Sequence, residues 1–480
     1  MPRWKQHRTG LTFLLSGHLI RFYLKDEAVQ FVYIEAEPDS SSVSERKSML
    51  FENGVPILFI IHRSMTSLPK FLRFALIVLL LGVVAGLIGM LLGYVLFETQ
   101  SLAFGYSAGP DHENYLEAIQ ATSPLRRVIA LVVCGLIGGI GWFLLARYGK
   151  KTVSLKQAVN AEKPHMPGIE TVANALLQIV TIGIGSPLGK EGAPRMVGAL
   201  VANRVGNWFR LDHEDTRLLM AACAGGGFAA IYNIPVAGAL FALEVLLMGA
   251  RLRWIVVSFS ISVIAAFTAR WGLGNVHQYT IVSPLNFGWD LLLWALATGP
   301  LFACSALIFI RITDEARAKA PTQYKIIVFN MFNFTILGIL MIFLPELAGN
   351  GRIAAQLGFT GQMTVIFATV LLAGKVLVEW GSLRAGAQGG LLTPSLANGA
   401  LLAIITAGAW SHFFPDNALG AFAIVGASTF LGIARKMPIT AIVLLLEMTQ
   451  VDLKLAVPMV VCMGSAKLTE TLWTRYRVRL

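Results

Sequence analysis

Hydrophobic positions in this chain run in long blocks and do not alternate with polar ones. Phe74 to Phe97 holds 24 residues without a charge, more than the roughly 20 that a helix needs to cross the apolar layer of a bilayer. A second block runs from Val128 to Ala146 and ends in Arg147, Lys150 and Lys151. Further apolar runs occupy 171–189, 218–243, 254–269, 291–310, 326–345, 353–374, 385–411, 417–434, 437–446 and 455–466. Several are too short for a simple span. Several are interrupted, as at Gly185-Ser-Pro187, Asn233-Ile-Pro235, Thr393-Pro394 and Lys436-Met-Pro438. In a membrane chain, such interruptions point to helices broken at a binding site. Residues 1–70 stand apart. They are polar and charged, with serines at Ser40 to Ser42 and strand-like pieces such as Phe31 to Ile34 without evident partners.

The pattern repeats. Asn233-Ile-Pro-Val-Ala-Gly-Ala-Leu-Phe-Ala-Leu-Glu244 aligns with Lys436-Met-Pro-Ile-Thr-Ala-Ile-Val-Leu-Leu-Leu-Glu447. A Gly/Ala-rich stretch precedes each, Ala221 to Ala230 and Val425 to Ala434. Farther upstream each half has a Gly-rich break ending in Pro, Gly189-Lys-Glu-Gly-Ala-Pro194 and Gly389-Gly-Leu-Leu-Thr-Pro394. Pro235 and Pro438 lie 203 residues apart, and Pro194 and Pro394 lie 200 apart. Two motifs in one order at nearly one offset make an internal repeat, which in a membrane chain indicates a transporter or channel.

Composition agrees. Hydrophobic residues make up 55% of the 480 residues and charged residues 14%, where soluble proteins carry about 25% charged residues. This excludes an ordinary soluble enzyme, a disordered chain and a nucleic-acid binder. The net charge of +12 comes from basic residues flanking the apolar blocks, and an acidic loop with Glu98, Asp111, Glu113 and Glu117 lies between two basic flanks. The positive-inside rule then places the N-terminus in the cytoplasm. No secretory signal pattern is present. Residues 1–70 read as a cytoplasmic extension or as an over-long start, with the true start at Met65. The four cysteines stand singly in apolar runs and fit neither a zinc site nor a disulfide framework.

The candidate chemistry centres on Gly189-Lys190-Glu191-Gly192. A charged pair interrupts a long uncharged run, and the flanking glycines permit close backbone approach. A helix starting here aims its free amides and positive dipole end at an anion. The Glu191 carboxylate can occupy that place as a tethered anion and leave on protonation, and acids inside the membrane mark function. A P-loop is a near miss, because Glu191 stands where Ser or Thr is required. The partner break has no charged residue, so Gly390, Leu391 and Leu392 would act through backbone amides. Anion binding without a fixed positive charge would be weak enough for release. Glu244 and Glu447 are expected to bond backbone amides of neighbouring helices, and Asp290 and Asp416 to lie at membrane borders. No Ser/His/Asp constellation or metal-ligand spacing is present, so neither an enzyme nor a cofactor is expected.

Gly-Lys-Glu-Gly, Gly-Gly-Leu-Leu-Thr-Pro and the paired Pro…Leu-Glu segments resemble the ClC family of chloride channels and chloride–proton exchangers, from about residue 70 to 470. Glu447-Met-Thr449 and Pro458-Met459 resemble its last helices. The resemblance implies an all-α polytopic fold of about eighteen helices, many short or broken, arranged as an inverted repeat. The two repeats would occupy 71–250 and 251–470, followed by a short basic cytoplasmic tail at 471–480 without regulatory domains. It implies a multi-pass protein of the inner (plasma) membrane, both termini cytoplasmic. It also implies a homodimer with one anion pore per subunit. By motif match Glu191 takes the gating position. Gly189, Lys190, Gly192, Gly390, Leu391 and Leu392 take anion-binding ones.

The chain departs from the family in four places. The pore serine expected within Arg147 to Ser154 is missing, and so is the pore tyrosine expected after Glu447-Met-Thr449. Val245 replaces the second glutamate of proton-exchanging members. Ala193 precedes Pro194 where Pro is usual, which with Leu-Glu-Val is similar to a bacterial branch described as voltage-gated channels. The expected function is therefore passive or weakly proton-coupled transport of chloride or another small anion. The alternatives are a chloride/proton antiporter, a fluoride exporter, or a scaffold without transport. Ser154 and Asp452 are the nearby candidates for the missing pore groups.

Overall fold

In the computed structural model, residues 11–15, 18–25, 28–34, 69–105, 115–162, 165–275, 277–281, 288–414 and 418–478 are described. The chain divides into two compact units, Met1–Arg73 and Phe74–Leu480. In the first, β1 (Leu11–Leu15), β2 (His18–Lys25) and β3 (Ala28–Ile34) form an antiparallel sheet in the order β1-β2-β3. Leu11 lies opposite Phe22, and Leu19 opposite Ile34. The connections, Ser16-Gly17 and Asp26-Glu27, are two residues long, the commonest hairpin length. Phe31 to Ile34 therefore has a partner, contrary to the sequence expectation. The partner strand reads His-Leu-Ile-Arg-Phe-Tyr-Leu-Lys, and its lack of strict alternation hides it.

The second unit is all-helical among the described residues. It runs through α1 (Lys70–Phe104), α2 (Tyr115–Ala121), α3 (Pro124–Tyr148), α4 (Leu155–Asn160), α5 (Gly168–Gly183), α6 (Gly192–Trp208), α7 (His213–Tyr232) and α8 (Pro235–Phe241). A wide π-helical turn over Ala242–Leu247 extends α8. Then follow α9 (Leu252–Leu273), α10 (Trp289–Ala318), α11 (Lys325–Phe343), α12 (Arg352–Phe359), α13 (Val365–Arg384), α14 (Leu392–Trp410), α15 (Leu419–Arg435), α16 (Pro438–Thr449) and α17 (Ala456–Val478). Among the described residues, eight helices are long and apolar enough to cross a membrane. The 35 residues of α1 extend about 50 Å, so it crosses a layer of about 30 Å only with tilt or overhang. The expected tail at 471–480 is helical as far as Val478, because no Gly or Pro follows Gly464 to stop the helix. Asp111, Glu113 and Asp416 lie outside the described residues, and Asp290 sits in the first turn of α10.

The repeat seen in the sequence is present in the backbone. α7 ends on Asn233 with φ 58°, and α15 ends on Lys436 with φ 55°. Each left-handed cap is followed after one residue by a proline at the first position of the next helix, where its missing N–H costs nothing. α7 is buried without a break from Leu218 to Tyr232, and α15 from Gly420 to Ala434. A helix apolar on every side belongs inside, so these two form the centre against which the broken helices rest.

The two glutamates that close the repeated motif bind across the repeat. Glu244 Oε1 accepts the Ile439 N–H at 3.0 Å, and its Oε2 accepts the Thr440 N–H at 2.7 Å. Glu447 Oε1 accepts the Val236 N–H at 2.9 Å, and its Oε2 accepts the Ala237 N–H at 2.6 Å. Each carboxylate thus satisfies orphan amides in the first turn of the other repeat's helix and meets its positive dipole end. The structural role expected for Glu244 and Glu447 is what the geometry shows. Glu447→Gln turns a donor toward an amide donor and weakens a charged hydrogen bond. It is expected to destabilise the fold by about 1.5–3 kcal/mol, seen as a lower unfolding temperature in detergent. An unchanged temperature would contradict the capping role.

Candidate anion-transport site

The two Gly-rich breaks meet. The Gly189 N–H donates to the Gly390 carbonyl, and the Gly390 N–H donates to the Gly189 carbonyl, each at 2.8 Å. This antiparallel bridge sets the starts of α6 and α14 side by side. Glu191 is the residue before α6, with helical torsions and no side-chain bond to its own helix. Its carboxylate reaches across instead, and Oε1 accepts the Leu392 N–H at 2.8 Å. The carboxylate therefore sits on the helix start of the opposite repeat, not on its own. Glu191 is fully buried.

Two more groups hold it. Tyr232 and Thr393 share a hydrogen bond at 2.8 Å. With the Thr393 hydroxyl as donor there, the Tyr232 O–H donates on to Glu191 Oε2 at 3.4 Å. Arg195, one turn into α6, donates from Nε to the Glu191 carbonyl at 2.8 Å, and its Nη2 lies 3.8 Å from Oε1. Its guanidinium also lies over the rings of Phe228 and Phe241, 5.5 and 5.0 Å from their centroids. A fixed positive charge, not expected from the sequence, thus stands beside Glu191, since four residues along the helix bring Arg195 back over the start of α6. Arg317 donates to the Gly389 carbonyl at 3.1 Å and steadies the second break.

The glycines of the bridge leave room for the Glu191 carboxylate. A Cβ on Gly189 or Gly390 would overlap the Glu191 carboxylate. Leu391 precedes α14, and its carbonyl accepts the Ser395 N–H at 3.1 Å. Lys190 is buried, with Nζ 4.9 Å from the Tyr232 ring centroid. It lines a cavity of about 30 Å³ with Gln100, Asn350 and Arg352, room for about one water. Arg195, not Lys190, is the residue within ion-pair distance of Glu191.

Residues 129–471 match the model of the voltage-gated chloride channel family. The chain belongs to the ClC family. Among curated relatives, the H(+)/Cl(-) exchange transporter ClcA of Vibrio parahaemolyticus is 26% identical over 410 residues, covering 81% of this chain and 86% of the relative. ClcA of Yersinia pestis is 26% identical over 422 residues, covering 82% and 85%. Two solved structures share the fold. A slow cyanobacterial Cl-/H+ antiporter superposes with a TM-score of 0.69 at 20% identity, covering 84% of this chain and 98% of that one. A CLC-type fluoride/proton antiporter superposes with a TM-score of 0.66 at 19% identity, covering 84% and 96%. The protein is accordingly a multi-pass membrane protein, and its second unit has the all-α inverted-repeat ClC fold.

The ClC departures have definite places. Ser154 caps α4 at the surface through a box with Gln157, and Asp452 caps a short 3-10 turn and lies near Lys454. Neither comes to Glu191, because each is used locally to start a helix. Val245 lies in the π-helical turn, and its neighbour Glu244 is committed to α16. Tyr232 was not singled out from the sequence, although it ends the Gly/Ala-rich helix directly before Asn233. Nor was the buried Lys375–Glu379 set on α13. There Lys375 Nζ donates to the Gly349 carbonyl at 2.9 Å, and Glu379 Oε2 accepts from Asn398 Nδ2 at 2.8 Å. Two charges four residues apart in an uncharged block were the available signal.

Tyr232→Phe removes a donor worth about 0.5–1.5 kcal/mol. Anion flux at neutral pH is expected to rise about two- to tenfold, read by chloride efflux from proteoliposomes. Unchanged flux would mean that the Tyr232 hydroxyl does not hold the Glu191 carboxylate in place.

Proposed function

We propose that this chain exchanges chloride for protons across the membrane, with Glu191 as both anion gate and proton acceptor. The observation that carries the reading is the bond from the Leu392 N–H to the Glu191 carboxylate. A helix-start amide that binds a carboxylate binds a halide by the same charge and dipole. Protonating Glu191 removes its charge, weakens that bond and frees the amide for a passing anion. Chloride and proton then compete through one side chain, which is the coupling an exchanger needs.

The passive channel expected first from Val245 gains no support from the relatives, whose names state exchange. With Val245 unable to carry a proton, this reading requires water to bring protons to Glu191. It includes the homodimer and the cytoplasmic termini that the family implies. The test is a chloride gradient across proteoliposomes containing the full chain, with proton movement recorded beside chloride efflux and fluoride as the second anion. Uphill proton uptake supports exchange. Chloride efflux without it returns the chain to the passive reading, and fluoride efflux far above chloride changes the substrate.

A further inference from the structure

The buried face of α5 comprises Thr171, Asn174, Ala175, Gln178, Ile179, Thr181 and Ile182. Asn174 accepts from the Trp142 indole at 3.1 Å, and Thr171 and Thr181 return their hydroxyls to α5 carbonyls or the Pro167 carbonyl just before it. Gln178 differs. It is 7% exposed, and among the described residues only its backbone carbonyl has a hydrogen bond from another side chain, that of Thr181. Its carboxamide has none. A carboxamide in so enclosed a place, without a protein partner, is free to bind a ligand.

The carboxamide is aimed at the gate. Its Oε1 lies 2.7 Å from the point where a Cβ on Gly192 would stand, and the Gly390 nitrogen is 3.9 Å from that same point. It therefore faces the wedge between the start of α6 and the bridge. No side chain caps α6. Gly192 and Ala193 supply the first two N–H groups there, and Pro194 supplies none. A half-turn of the terminal torsion brings Nε2 to the side now faced by Oε1 and adds a third donor. Arg195 adds the positive field.

We propose that the Gln178 carboxamide is a side-chain ligand of the transported anion, a small monovalent halide. The inference rests on the transport reading above.

The test measures chloride binding to the purified full chain by calorimetry, together with efflux from proteoliposomes. Gln178→Met keeps the length and removes the donor. The chloride Kd is expected to rise at least tenfold, while the elution profile and unfolding temperature stay near wild type. Gly192→Ala keeps Gln178 but places a methyl against its Oε1, and a rise in Kd is expected there too. If Gln178→Met fails to fold, Gly192→Ala carries the test. Wild-type affinity in a folded Gln178→Met chain, or in Gly192→Ala when Met is not tolerated, overturns the inference and leaves transport standing. A wild-type chain that neither binds nor passes chloride overturns the transport reading and the inference with it.

Discussion

Glu191→Gln is expected to abolish proton uptake completely and to leave chloride flux flat across external pH. The side chain is fully buried, and its carboxylate takes the Leu392 N–H at 2.8 Å. A carboxamide has the same shape but no charge and no proton to exchange in this range. Its bond to Leu392 becomes neutral, and a hydrogen bond to a charged acceptor is worth about 1.5–3 kcal/mol against about 1 for a neutral one. Chloride then competes with a weak, permanent occupant whose hold does not depend on protonation. Wild-type flux should rise as pH falls, whereas the Gln178 environment, Tyr232 and Arg195 are unchanged in the variant. Simultaneous chloride and proton recordings between acidic and neutral pH decide the point. A Glu191→Gln chain that keeps steep pH dependence, or still moves protons uphill, contradicts the gate assignment.

Gly390→Ala is expected to prop the gate open at neutral pH. The added Cβ would overlap Glu191 Oε1 and Cδ, and no other group is among its nearest contacts. The flexible carboxylate therefore has to yield, giving up its bond to Leu392. Losing a charged bond of about 1.5–3 kcal/mol corresponds to a rise in neutral-pH flux of roughly ten- to a hundredfold. The cause is checked by a second change. In Glu191→Ala the colliding group is already gone, so adding Gly390→Ala should do nothing further, the non-additivity of residues in direct contact. A double variant that conducts much less than Glu191→Ala would mean that the methyl blocks the path, and would contradict this account.

The repeated architecture is written in the chain because it depends on residues with few alternatives. Proline at a first helical position, a left-handed cap at Asn233 and Lys436, and an acid nine residues after each proline leave a mark at fixed spacing. The destination of each acid does not. That Glu244 caps α16 and Glu447 caps α8 follows from the packing of one repeat on the other, which no local pattern encodes. The gate shows the same division. Glu191 stands out as a charge in an uncharged run, yet its bond runs to Leu392, 201 residues away. Arg195 was open to discovery, since four residues bring it back over Glu191. Tyr232 and Gln178 reach the site from other helices, and each looks from sequence like an ordinary residue in an apolar stretch. Ser154 and Asp452 lie near the absent groups only in sequence, and both are spent on capping.

The most direct measurement is anomalous diffraction from bromide-soaked crystals of the wild type and of Glu191→Ala. The central claim is that the carboxylate of Glu191 sits where the transported anion sits. Glu191→Ala should show a bromide within hydrogen-bond reach of the Leu392 N–H, and the wild type at neutral pH should show the carboxylate there and no bromide. A wild-type map with bromide at Leu392 beside a seated carboxylate, or a Glu191→Ala map with no bromide at that amide, would contradict the account.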